Sequence, residues 1–148
     1  MKVLTIKQPW ATLIMKKDKR FEFRSWRTKY RGDLLIHAGK GIDKEAMKRL
    51  SNYIPEVLPT GKILGKVTLV DCVKMSLEFK EKLLKENKEI YIDSSFKENY
   101  GWQLENVKLF NEPIEAKGKL GLWSMNIKEN NSYKKVTIIL FYKKTVKN

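Results

Sequence analysis

Residues 4–38 read LTIKQPWATLIMKKDKRFEFRSWRTKYRGDLLIHA, and the succession of patterns in them decides the kind of fold this chain can form. Residues 3–6 have the apolar, β-branched character of a short strand. Gln8-Pro9-Trp10 then opens a helix, because proline is tolerated in a first turn, and Ala11, Leu13, Ile14 and Met15 continue it to about Lys17. Phe21-Glu22-Phe23-Arg24 alternates with period two, which puts the phenylalanines on one face of a half-buried strand and Glu22 and Arg24 on the other. Arg31-Gly32-Asp33 is a turn, and residues 34–38 form the strand that follows it.

Beyond this stretch a helix is expected over 42–51, carried by Ala46, Met47 and Leu50, and a loop over 54–60, which holds two prolines. The run GKILGKVTLVDCVKM (61–75) is the best strand in the chain, and its length makes Gly65 the site of a bulge or bend. Residues 77–89 read as a charged helix, with Glu78 and Lys82 spaced for one surface ion pair. Residues 100–110 and 119–127 read as strands. YKKVTIILFYKKT (133–145) reads as a last hydrophobic strand guarded by paired lysines, as an exposed edge requires. Short strands with interspersed helices, without βαβ alternation or a Gly-rich phosphate loop, predict a mixed α+β domain on a small curved sheet or barrel rather than a doubly wound fold.

The chain has 148 residues, 42% of them hydrophobic, which fits one domain with one core. Cys72 is the one cysteine and His37 the one histidine, so neither an internal disulfide nor a Cys/His zinc cluster can be assembled. A reducing setting, no metal and no cofactor are expected. The start MKVLTIKQPW lacks the apolar core of a signal peptide, and ATLIM and VTIILFY are too short to span a bilayer, so the expectation is a soluble, cytoplasmic protein. The net charge is +14. Residues 1–40 hold 11 basic and 3 acidic groups, 41–116 hold 12 and 13, and 117–148 hold 8 and 1. If the fold joins the two ends they make one positive surface suited to a polyanion; lysine used for solubility is the other reading.

Residues 16–31 concentrate this charge, with eight basic groups, two acids, and Phe21, Phe23, Trp26 and Tyr30 between them. Lys19 and Arg24 flank Glu22 across a turn and a strand. Charge pattern alone admits two readings: a surface ion-pair cluster of little weight, or a trio that reads a base edge, Glu22 accepting from an exocyclic amine and the two cations donating to carbonyls or phosphate. Trp26, Arg27, Tyr30 and Arg31 combine aromatic faces with guanidinium groups, as does a groove that stacks bases and follows a phosphate chain, although Trp26 also reads as core. Asp71 shares a strand face with Val67, Leu69 and Val73. It is therefore either a satisfied buried aspartate or an acid/base group of raised pKa. His37, Cys72, Trp10 and Trp123 read as core; Trp102, beside Gly101, is the tryptophan that can also border a cleft.

Taken in order, residues 4–38 closely resemble the opening of the ASCH domain, the activating signal cointegrator homology domain of the PUA-like superfamily. That pattern has a QPWA-type helix start, then G-x-K-x-x-E-x-R, S-W, an R-G turn and a strand ending near His-Ala. Lys19, Glu22 and Arg24 hold the K, E and R places, and Lys17 stands where the family usually has glycine. ILGKVTLVDC (63–72), YGWQLENVKLF (100–110) and IEAKGKLGLWSM (114–125) are similar to its later strands. The resemblance thus covers nearly all of residues 1–127, taken as the domain. Residues 128–148 match nothing in it and are expected to add a basic edge strand. The resemblance implies a PUA-like small β-barrel with helices at its openings, a cleft lined by the Lys and Glu of the motif, and binding of RNA or other nucleic acid. A bacterial branch of small ASCH proteins instead hydrolyses the amide of N4-acetylcytidine; it is similar to K-x-x-T rather than K-x-x-E.

The full motif favours the base-reading trio. The leading expectation is a non-catalytic binder of RNA or single-stranded nucleic acid, using Lys19, Glu22, Arg24, Trp26, Arg27, Tyr30, Arg31 and Trp102. The competing one is an amidohydrolase acting on N4-acylated cytosine nucleosides through Lys19 with Glu22 or Asp71. Glu22 in place of threonine, and basic ends that a small neutral nucleoside does not require, speak against it. A protein-interaction module in a transcription-related assembly is a third, weaker expectation.

Overall fold

In the computed structural model, which describes residues 1–94 and 97–127, the opening stretch forms β1 (Lys2–Gln8), α1 (Trp10–Met15), β2 (Phe21–Arg24) and β3 (Gly32–Ile42). Then come α2 (Lys44–Arg49), β4 (Lys62–Lys74), α3 (Leu77–Glu86), α4 (Lys88–Tyr91), β5 (Tyr100–Glu115) and β6 (Leu122–Ser124). The six strands make one sheet in the order β2-β5-β4-β3-β1-β6. β1 and β3 are parallel, so a crossover must join them, and α1 and β2 lie in it. The other pairs are antiparallel.

Alternation divides the apolar residues between the two faces. Leu4, Ile6, Leu34 and Ile36 pack with Ala11, Ile14 and Met15 of α1 and with Val67, Leu69 and Trp102. Val3 and Leu35, one residue out of step, pack on the other face with Ile63, Phe110 and Trp123. A further cluster joins Leu13 and Phe21 to Ala46, Leu50, Leu83 and Tyr91, so the helices cover one end of the sheet.

The sheet is strongly curved. Arg24 of β2 donates from Nη2 to the Thr5 carbonyl of β1 at 2.8 Å, although four strand spacings separate the two in the sheet order. Laid flat, those spacings would amount to about 19 Å. No ladder joins β2 to β6 among the described residues, so the α+β class and the curved, mostly antiparallel sheet are as expected, but a side chain rather than backbone pairing bridges the gap and the barrel is not closed.

The bulge expected at Gly65 is present. The β4–β5 register slips between Ile63 and Gly65, and a Cβ on Gly65 would collide with the Lys108 carbonyl and the Met15 methyl. Two further slips lie between Lys66 and Thr68 and between Leu69 and Asp71. Residues 77–89 divide at Asn87, whose extended backbone ends α3 while its side chain accepts from the Ile90 N–H to cap α4. The Glu78–Lys82 pair forms at 3.8 Å, fully at the surface. β5 outlasts its expected end at 110, and β6 occupies only three residues of the expected 119–127. The strand expected over 133–145, and with it the 128–148 extension, lies outside the described residues. Among the described residues no helix is long and apolar enough to cross a membrane.

Candidate functional site

The turn between α1 and β2 delivers the first site residue. Lys17 takes a left-handed backbone (φ 69°), its N–H bonds the Ile14 carbonyl at 3.0 Å, and the Asp18 N–H reaches the Leu13 carbonyl at 3.0 Å. This is the double bond pattern of a Schellman cap, normally completed by glycine. Lys17 therefore keeps the turn that its replacement of glycine put in question. The chain then reverses, the Arg20 N–H is held by the Tyr91 hydroxyl at 2.8 Å, and Lys19 turns inward.

Lys19 is 4% exposed and Glu22 7%. Lys19 Nζ donates to Glu22 Oε1 at 2.8 Å, and Arg24 Nη2 donates to Glu22 Oε2 at 3.0 Å. The Lys19 ammonium also lies 5.2 Å from the ring centres of both Trp10 and Phe23, a spacing at which cation and ring attract. Burial by itself would raise the Glu22 carboxyl, but the charges of Lys19 and Arg24, and the hydrogen bonds they donate, outweigh it and hold the group below the ordinary carboxylate range. The surface ion-pair reading is thereby excluded. Glu22, expected on the solvent face of a half-buried strand, is inside, enclosed by Lys19, Arg24, Trp10 and residues of the 90–98 region.

This ion pair forms the floor of a cavity of about 140 Å³, lined also by Trp10, Phe23, Asp43, Ile90, Asp93, Ser94 and Glu98. The volume is that of roughly five waters, enough for one small planar group and too little for a nucleotide. Its lining holds one lysine and four carboxylates. Asp43 is occupied by Trp10 Nε1 at 3.2 Å and the Ala46 N–H at 3.1 Å, and Asp93 by Arg49 at 2.7 Å. Glu98 is exposed at the rim of the cavity and has no hydrogen bond or ion pair among the described residues; partial desolvation together with the nearby Glu22 charge pushes its carboxyl up. None of Trp10, Asp43, Asp93 and Glu98 was singled out from the sequence as a site residue. Trp10 carried the one usable signal, its place in the QPWA start.

Outside the cavity, the 25–31 segment divides the remaining expected residues. Trp26 is 36% exposed and meets Trp102 edge to face at 4.7 Å, so the alternative reading of it as a core residue does not hold. Trp102 is fully buried; it cushions Trp26, its Nε1 reaching the Trp26 carbonyl at 3.4 Å, and does not border the cleft itself. Arg27 is exposed and makes no hydrogen bond or ion pair among the described residues. Tyr30 and Arg31 brace the loop instead. The Tyr30 hydroxyl donates to the Asp33 carbonyl at 2.6 Å, and Arg31 Nη1 donates to the carbonyls of Thr28 and Tyr30 at 3.0 and 2.8 Å.

Asp71 departs most from expectation. The register slip between Leu69 and Asp71 breaks the alternation, and its side chain is 57% exposed, 3.7 Å from Arg31. The rationale for an acid/base role, a carboxylate among apolar neighbours, is gone. His37 is buried as expected, with Nε2 2.7 Å from the Ala116 carbonyl. Among the described residues no group of three or more His, Cys, Asp or Glu is placed to hold a metal ion. A larger groove of about 900 Å³ runs along α2, past Ile42, Met47, Ile54 and Pro55, and none of the motif residues lines it.

Comparison with known proteins agrees with this fold. The family model described as ASCH domain matches residues 4–114. Two relatives are described as activating signal cointegrator 1: the human protein is 37% identical over 53% of this chain and 15% of its own length, and the mouse protein 34% identical over 89% of this chain and 23% of its own. The chain thus spans less than a quarter of either relative. A crystal structure of an ASCH protein from Zymomonas mobilis superposes with a TM-score of 0.51 at 14% identity, covering 77% of this chain and 72% of that one, which speaks to the fold alone.

Proposed function

The chain belongs to the ASCH domain family, and from that premise we propose that it is a non-catalytic binding module for RNA or single-stranded nucleic acid. One base enters the Lys19–Glu22 cavity and a neighbouring base stacks on Trp26. The observation that carries this reading is the pairing of a cavity sized for one planar group, floored by a buried ion pair, with an exposed tryptophan two residues beyond Arg24. Glu98 is the carboxylate with an open acceptor, so it receives an exocyclic amine, while Lys19 retains donors for a carbonyl. The acidic lining repels phosphate. The backbone of the strand therefore stays outside, against Arg27.

A second reading, hydrolysis of an N4-acylated cytosine nucleoside, draws support from Glu98, whose raised carboxyl faces the same cavity as Lys19. Against it, Glu22 is held low by two cations, which makes it a poor proton acceptor near neutral pH, and Asp71 is at the surface. One set of measurements separates the two. A binder neutralising about 4 to 6 phosphates of a single strand should show log K falling with log salt at a slope of roughly −3 to −4, with no turnover of N4-acylated cytidine. A flat salt response removes the binding reading. Turnover abolished by Lys19→Ala would install the enzyme.

A further inference from the structure

Four lysines near the β1–β3 pair play no part in the cavity. Gly41 and Gly61 have no side chains, and the stems of Lys7 and Lys40 lie over them: a Cβ built on Gly41 would be 3.3 Å from Lys7 Cγ, and one on Gly61 3.7 Å from Lys40 Cε. The segment after β5 brings two more. Its Ala116 is fixed twice, its N–H to the Gly61 carbonyl at 3.1 Å and its carbonyl to His37 Nε2 at 2.7 Å. Gly118 then lies so close over the same histidine that a Cβ would come within 2.9 Å of its ring and 3.1 Å of Thr5 Cγ2. Lys119 ends over the Trp123 ring at 5.8 Å, and Trp123 is tied to Thr5 by a 3.0 Å hydrogen bond. Lys117 lies between the two fixed points.

Lys7, Lys40, Lys117 and Lys119 are all exposed and make no ion pair among the described residues. Glu115, the acid next in sequence to this segment, stands opposite Lys62 in the β4–β5 register. We infer that this face is a second nucleic-acid contact, a phosphate-binding surface on which the strand continues after its base has entered the cavity. His37 and Gly118 position it by docking the 116–121 segment onto β1 and β3. The inference rests on the binding function proposed above and extends it from one base to the path of the backbone. Four exposed cations without an ion pair among the described residues suit a polyanion, whereas the cavity, with its four carboxylates, does not.

The test compares two oligouridylates, one of about 5 nucleotides, near the lower site size of small single-strand binders, and one of about 25. In the variant with Lys7, Lys40, Lys117 and Lys119 all replaced by glutamine, binding of the long oligomer should fall about tenfold or more. Its log–log salt slope should flatten by roughly 2 to 3, at about 0.7 per lost contact. The short oligomer should bind as before. Gly118→Val should reproduce part of the loss while leaving all four charges in place, which a diffuse charge effect would not do. Unchanged affinity and slope for the long oligomer in the glutamine variant would overturn the inference while leaving the cavity reading intact. If wild-type protein binds neither oligomer, both fall. Retention on phosphatidylserine vesicles, lost in the glutamine variant and without oligomer binding, would overturn it in favour of a lipid surface.

Discussion

The cavity and the 25–31 segment are adjoining pieces of one motif, yet they spend their charged and aromatic residues in opposite ways. At the cavity, Lys19 and Arg24 both spend their charge on Glu22, and Trp10 and Phe23 lie against the ammonium. In the segment, Arg27 and part of Trp26 are left to solvent. The lesson is that proximity in sequence does not give equal duties. The buried trio must be present for the fold to stand, so its loss is felt as instability. The exposed pair contributes little to folding, so its loss is felt in binding.

The largest expected effects would break that comparison if they failed to appear. Glu22→Ala leaves Lys19 buried without its partner and should destabilise the protein by about 3–5 kcal/mol, read by denaturant unfolding. The contribution has a defined pH dependence. Because the folded carboxyl lies below its unfolded value, the stabilisation is present above the ordinary carboxylate range and disappears as pH falls through the folded value. The stability gap between wild type and Glu22→Gln should therefore be widest near neutral pH and close on acidification. A gap constant with pH would mean that the carboxylate's charge is not what matters.

Two tryptophans in edge-to-face contact supply the next contrast. Trp102→Ala empties a fully buried site and should cost about 3–5 kcal/mol of stability. Trp26→Ala should leave unfolding nearly unchanged and weaken single-strand binding by about 1–3 kcal/mol without altering the salt slope. If Trp26→Ala unfolds the protein, the segment is not a binding surface. Arg27→Ala should lower the slope by roughly 0.7, one contact's worth. Arg31→Ala, in contrast, removes a brace from the loop carbonyls and should change affinity chiefly through the placement of Trp26.

How far the sequence could be read follows the same division. Periodicity located most strands, and the ordered motif located the trio, because both are local in the chain. Burial of Glu22 was not legible, since it depends on α1 and the distant 90–98 region closing around it. Nor was the exposure of Asp71: one slipped residue in the β4–β5 register reverses every inference drawn from alternation. Glu98 and Asp43 carried no signal because nothing in a polar loop or a helix cap distinguishes a cavity wall from a surface.

The smallest expected effect tests whether the turn that feeds the cavity matters to binding at all. Lys17 holds a left-handed conformation that costs an L-residue roughly 1–2 kcal/mol, and both hydrogen bonds of the cap depend on that backbone rather than on the lysine side chain. Glycine adopts the conformation without the steric penalty but loses more entropy on folding, about 0.5–1 kcal/mol. Lys17→Gly should therefore stabilise by somewhat under about 1 kcal/mol. Because Lys17 is exposed and lies outside the cavity lining, the position of Lys19 should be unchanged and single-strand affinity should move by no more than one charge's share of the salt slope. A stabilised variant that loses more than this would show that the turn still adjusts when a base enters, and the boundary drawn between the buried cavity and the exposed 25–31 segment would have to move back to the end of α1.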